Sequence, residues 1–195
     1  MSRTDIYRCF YALGFGCAMT IVLTIAAKQG IDAGFGSLAL FLVAVFAGRR
    51  VQYFFWRYHF LGRQHYGMRR WTESLEASQR FLQEAQQKPW LRHLVWLNFM
   101  VTSRDIVAVT QNNVACVYMA LADRAEAESY IDEALKRDSL YPVPHLNRAK
   151  ILIWAKQDDA ARAELAECRR LGYRDYSWEK LVQEVRGASD DLQIA

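Results

Sequence analysis

The side chains able to do chemistry are few in this chain and poorly spaced for it. Its four histidines are His59, His65, His93 and His145. His59 and His65 lie six residues apart, which does not place them on one helical face, and no Cys/His spacing suited to zinc occurs. No metal site is expected. The four cysteines form no framework. Cys9 and Cys17 sit in an apolar N-terminal segment, Cys116 and Cys168 sit where helices pack, and no CxxC pair occurs. Isolated packed thiols fit a reducing compartment. The adjacent carboxylates Asp158 and Asp159 open a helix, where the helix dipole accounts for them without catalysis. No P-loop, GxGxxG, GxSxG or HExxH pattern is present. No catalytic residue and no cofactor are predicted, and the chain does not read as an enzyme.

The elements that carry these residues are expected to be helical throughout. The chain has 195 residues and only three prolines, and it is rich in Leu, Ala, Arg, Glu and aromatics. Its net charge of +4 is unevenly spread: +1 over 1–48, +6 over 49–103 and −3 over 104–195. The basic residues of the middle block are not regularly interleaved on one predicted helix, so no nucleic-acid face is expected. The basic block follows two apolar runs, as cytoplasmic membrane flanks do. Residues 6–27 form a 22-residue run with one charge, Arg8, and would span about 33 Å as a helix. Residues 33–48 are uncharged, would span about 24 Å, and end at Arg49 and Arg50. A buried hairpin of a non-membrane protein and a cleaved signal peptide are the other readings, although no A-x-A site follows the first run. The run lengths and flanks favour a two-span hairpin in the inner (cytoplasmic) membrane, with both termini cytoplasmic, since the connecting loop offers only Lys28 offset by Asp32. Arg49, Arg50 and Trp56 are the predicted membrane-interface residues, and Arg69 and Arg70 are candidates for contact with anionic lipid heads.

Beyond residue 54 the chain repeats itself. Asn113, Ala115, Ala127 and Ala134 recur 34 residues later as Asn147, Ala149, Ala161 and Cys168, and Tyr118 and Ile131 recur as Leu152 and Leu165. A degenerate copy at 55–88 places Tyr58, Leu61, Gly62, His65, Trp71, Ser74, Phe81 and Leu82 at the corresponding large and small packing positions. On these residues the chain resembles the tetratricopeptide repeat (TPR) proteins, clearly over 108–175, more weakly over 55–88 and not at all over 1–54. The expected fold is therefore all-α: a transmembrane helical hairpin (1–54 with its flank), then a short TPR-type α-solenoid over 55–186. The repeats are 55–88, 108–141 and 142–175, with an insert at 89–107, a capping helix at 177–186 and a disordered tail at 187–195. Ser103 is a predicted cap for the first helix of the second repeat, and Gly172 a natural C-cap. Two departures from the family stand out. Ala122 and Lys156 occupy the place of the usual turn glycine, and Ser139 and Tyr173 that of the usual proline.

The resemblance implies a concave groove lined by the first helix of each repeat. It places Asn112, Asn113, Cys116 and Met119 there from one repeat, and Leu146, Asn147, Lys150 and Trp154 from the next. In such a groove asparagine amides hold a peptide backbone, lysine meets a carboxylate, and Met and Trp accept apolar side chains. Asn113 matches the asparagine with which some chaperone-binding members hold a terminal carboxylate. Val143 and Asn147 stand where that clamp needs basic residues, so chaperone binding is not inferred. The function expected is a membrane-anchored adaptor for a protein or peptide partner, in contact with membrane lipids. The alternative is an obligate non-catalytic subunit of an inner-membrane assembly, its concave surface filled by a partner or by the chain's own segment 90–103.

Overall fold

The computed structural model describes residues 50–97 and 103–193, together with residues 13, 14, 16, 17, 20, 21, 24, 25, 27 and 28. The described residues are helical and contain no strand. In chain order the helices are α1 (Arg57–Gly67), α2 (Trp71–Gln87), α3 (Ile106–Ala120), α4 (Arg124–Arg137), α5 (Pro142–Trp154), α6 (Asp158–Arg170) and α7 (Trp178–Gln193). A 3-10 segment, Pro89–Leu97, joins α2 to the stretch before α3. Consecutive helices pair as antiparallel hairpins, α1/α2, α3/α4 and α5/α6, stacked side by side with α7 packed on α5, an α-solenoid-like fold.

The transmembrane hairpin and the multi-pass inner-membrane location are corrected. No helix among the described residues is long and apolar enough to cross a membrane. The most apolar of them, α3, has 15 residues, about 22 Å, and carries Gln111, Asn112 and Asn113 at its centre. Of the expected spans, 33–48 lies outside the described residues and 6–27 is described only at scattered positions. Arg49 also lies outside them, and Arg50 is an exposed helical residue. Trp56 is fully buried rather than interfacial. Its indole N–H donates to the Leu91 carbonyl at 3.2 Å, and its ring shares a core with Phe81, Val95, Ile106 and Val107.

Each hairpin turns in the same way. Arg69, Ala122 and Lys156 all adopt φ of 58°, the left-handed conformation that ends a helix and that glycine enters most easily. The amide three residues past each helix closes a six-residue loop: Arg70 N–H to the His65 carbonyl, Asp123 to Tyr118 and Gln157 to Leu152. Ala122 and Lys156 are 34 residues apart, whereas Arg69 precedes Ala122 by 53. The difference is the 19 residues of 89–107.

The same offsets locate the close helix crossings. Ala115 faces the second helix of its hairpin at Ala127, and Ala149 faces Ala161, all four fully buried. In the first hairpin the equivalents are Gly62 and Ser74, whose hydroxyl donates to the Gly62 carbonyl at 2.8 Å. A Cβ on Gly62 would lie 2.5 Å from Ser78 Oγ and 3.3 Å from the Ser74 carbonyl oxygen. Small residues at these points set the interaxial distance, and the larger Phe81, Ile131 and Leu165 fill the space beside them.

The links between hairpins are polar. Asp138, buried after α4, accepts from Ser103 Oγ and the Arg104 amide at 2.8 Å each, from the Leu140 amide at 3.2 Å and from the Arg104 guanidinium at 3.3 Å. It thereby ties the approach to α3 to the loop before α5. The cap of α3 is Asp105, which accepts from the Val107 amide at 2.8 Å; Ser103, expected in that role, lies outside the helix. Pro89–Leu97 packs on the residues preceding α1, with Gln52 Nε2 donating to the Leu94 carbonyl and Phe55 edge-on to Trp90. Its described contacts are there and on α2 and α3; residues 98–102 of the segment expected to fill the groove lie outside the described residues. Ser177 accepts from the Lys180 amide at the start of α7, and that helix continues to Gln193 through much of the tail expected to be disordered.

Candidate binding surface on the first-helix face

The period that builds the stack also aligns side chains across it. Arg63 on α1, Cys116 on α3, Lys150 on α5 and Glu184 on α7 occupy one equivalent position in four successive first helices. Lys150 Nζ donates to Glu184 Oε1 at 2.6 Å and lies 5.6 Å from the centre of the Tyr176 ring. Asn147 Nδ2 donates to Asn112 Oδ1 at 2.9 Å and reaches Cys116 Sγ at 3.3 Å. These bonds lace α3 to α5 and α5 to α7 along one face.

The electrostatics follow from burial. Burial pushes the Cys116 thiol up, against the opposing pull of Lys150 and the Asn147 hydrogen bond, so the group is an inert neutral thiol. The phenol of Tyr66 on α1 is also raised, by burial and by nearby Cys116 and Glu184. Tyr176 is raised by burial and by Glu184. The face is thus lined by neutral phenols, amides and one lysine–glutamate pair.

The predicted groove residues have divided fates. Asn112 and Asn147 come together, buried at 2% and 5% exposure, and satisfy each other. Lys150 is engaged with Glu184. Met119 is buried, and Trp154 is half-buried between the cores of the second and third hairpins. Asn113 differs: its Nδ2 is buried with no hydrogen-bond partner. Glu184, Tyr66 and Tyr176 were missed. Glu184 was findable, since it stands one period beyond Lys150. The tyrosines were not, because Tyr176 lies in a loop and Tyr66 in the repeat least like the others.

Two of the histidines, His59 and His145, have structural settings. His59, buried against Phe81 and Trp56, shares a 2.8 Å hydrogen bond between Nδ1 and Thr110 Oγ1. Burial, with a contribution from Arg63, lowers its pKa to about 3, so it is neutral near pH 7. His145 Nδ1 is 2.7 Å from Glu164 Oε2. Among the described residues no group of three or more His, Cys, Asp or Glu side chains is placed to hold a metal ion. Compared with protein-family models, curated proteins and solved structures, the chain matches none.

Proposed function

We propose that the chain is a tetratricopeptide-like interaction module that holds a protein or peptide partner across the face formed by α1, α3, α5 and α7. The observation that carries this reading is the row Arg63, Cys116, Lys150 and Glu184, one equivalent position from each of four stacked helices. A stack that repeats one position side by side offers an extended track rather than a point site, which suits an extended polypeptide. Around the track, tyrosine rings and asparagine amides supply the mixture of apolar surface and paired donors and acceptors that peptides need. Asn113, with a buried and unpartnered amide N–H, favours a carbonyl or carboxylate acceptor on the partner. The row starts with a cation and ends with an anion, so it also sets direction: acidic residues of the partner belong near α1 and basic ones near α7.

The test is site-specific photo-crosslinking of the full chain from Arg63 and from Glu184, the exposed ends of the row, followed by affinity measurement for the captured partner. The expected result is one partner crosslinked from both positions, with binding weakened at least tenfold by Glu184→Lys. A partner bound equally well by Glu184→Lys and by Arg63→Glu would overturn the reading.

A further inference from the structure

The face just described is made by first helices. The second helices, α2 and α4, meet over α3 along a different gap, and that gap holds a pocket of about 340 Å³. One wall is the glutamine stripe Gln79, Gln83 and Gln86 of α2; the other is Tyr130, Glu133 and Arg137 of α4, and Gln79 and Tyr130 share a side-chain hydrogen bond between them. Leu82 and Val107 give it an apolar floor. Gln111 of α3 also lines it and is only 6% exposed.

Gln111 is the telling residue. Its Nε2 donates to Glu133 Oε2 at 2.7 Å, and its Oε1 is buried with no partner. The amide cannot be turned over to cure this, because Oε1 would then face the Glu133 carboxylate. A buried acceptor left without a donor costs roughly 1–3 kcal/mol, so its persistence marks a place where a donor arrives from outside.

The next gap of the stack shows the alternative. Thirty-four residues on, His145 replaces Gln111, Arg148 replaces Val114 and Glu164 replaces Tyr130. There Arg148 pairs with Asp132 of α4 and, at 3.6 Å, with Glu164 of α6, while His145 bonds Glu164 at 2.7 Å. The second gap is bridged by charge and its polar atoms are satisfied. The first has a valine where the bridging arginine would stand, and only the neutral Gln79–Tyr130 hydrogen bond crosses it beside the pocket.

We infer that the gap between α2 and α4 is a second binding site, for a short, extended and uncharged peptide segment of another protein. Its main-chain N–H groups donate to Gln111 Oε1, and its carbonyls accept from the glutamine amides. Three features select this occupant. Glutamine side chains carry a donor and an acceptor together, as a peptide main chain does. The stripe from Gln79 to Gln86 runs about 10 Å along α2, the length of about three extended residues. The walls carry one carboxylate, Glu133, and one guanidinium, Arg137, so the lining carries no net charge to draw an ion.

The site is independent of the first-helix face, and the experiment separates them. The probe is a randomised library of nine-residue peptides, acetylated and amidated, lacking Asp, Glu, Lys and Arg, selected on the full chain. The best peptide is then titrated against Gln111→Leu, Gln83→Ala and Glu184→Lys. The expected result is a loss of affinity of fivefold or more with Gln111→Leu, a smaller loss with Gln83→Ala, and less than twofold change with Glu184→Lys. Gln111→Leu should remain folded, since the loss of its bond to the exposed Glu133 is offset by removal of an unsatisfied acceptor, and its melting temperature checks this. Failure to select any peptide tighter than millimolar overturns the inference, whether the chain itself fills the gap or nothing does. So does a selected peptide that Gln111→Leu weakens less than fivefold.

Discussion

The two junctions of the stack solve the same packing problem with opposite chemistry. Where the first hairpin meets the second, the polar groups are mostly neutral: His59 bonds Thr110, and Gln79 of α2 shares a side-chain hydrogen bond with Tyr130 of α4 beside a gap that stays open. Where the second meets the third, ionic groups cross from α4 to α6 through Arg148, with His145 and Glu164 completing the cluster. The helix crossings and turns are alike in both. The difference shows that the backbone period is maintained by small residues and left-handed turns, while the gaps between second helices are free to be sealed or kept open. An open gap with an unpaired acceptor is a cost that the ionic gap avoids.

The largest effect that would break this contrast is acid. His59 is neutral in the folded protein at pH 7, its pKa lowered by burial from the ordinary 6.5 to about 3. The unfolded chain therefore binds more protons between those values, and stability falls as pH drops below 6.5. The first junction should lose roughly 2–3 kcal/mol by pH 4.5. Urea unfolding of the native chain and His59→Phe at pH 7 and 4.5 measures it: the variant should lose clearly less than the native chain over that interval.

Removing Arg148 tests the second junction. Arg148→Ala leaves Glu164, itself half-buried, with His145 alone, and should cost about 1–2 kcal/mol. The matching change in the first junction, Gln111→Leu, loses the bond to Glu133 along with the unsatisfied acceptor, and should change stability by less than about 1 kcal/mol. Thermal melts at pH 7 compare the pair; equal losses would mean that the open gap carries no strain.

A narrower pH window belongs to Glu164. Burial would raise its carboxyl, but the hydrogen bond from His145 and the charges of His145 and Arg148 hold it below its ordinary 4.5. Its contribution is present above that value and lost as pH falls through the lower folded one. The stability difference between the native chain and Glu164→Gln should shrink below pH 4.5, whereas the His59 effect begins two units higher.

The smallest effect tests what the junctions share. Ala122→Gly and Lys156→Gly relieve the same left-handed strain at φ of 58° and should each stabilise by about 1 kcal/mol. Unequal gains would show that the two turns are not equivalent.

The period, the hairpin turns and the crossing residues were all legible in the residues. Ala115, Ala127, Ala149 and Ala161 recur because two helix axes can approach only where side chains are small, and this is a local demand written directly into composition. The positions of Ala122 and Lys156 were legible for the same reason, and the structure adds that they carry the strain glycine would relieve. The membrane reading failed on different grounds. No helix among the described residues is long and apolar enough to cross a membrane, and Trp56, read as interfacial from an aromatic cluster beside arginines, is buried in a helical core with its indole N–H on the Leu91 carbonyl.

What the chain alone determined, then, is a sequence of paired helices with fixed turns, since turn geometry and close crossings depend on residues at set spacings. Tertiary structure alone decided which polar groups meet. Asn112 and Asn147 are 35 residues apart, Gln111 and Glu133 are 22, and Lys150 and Glu184 are 34. Whether such groups satisfy one another or stay open to a partner depends on three-dimensional approach, and a one-residue rotation of any helix would exchange those roles.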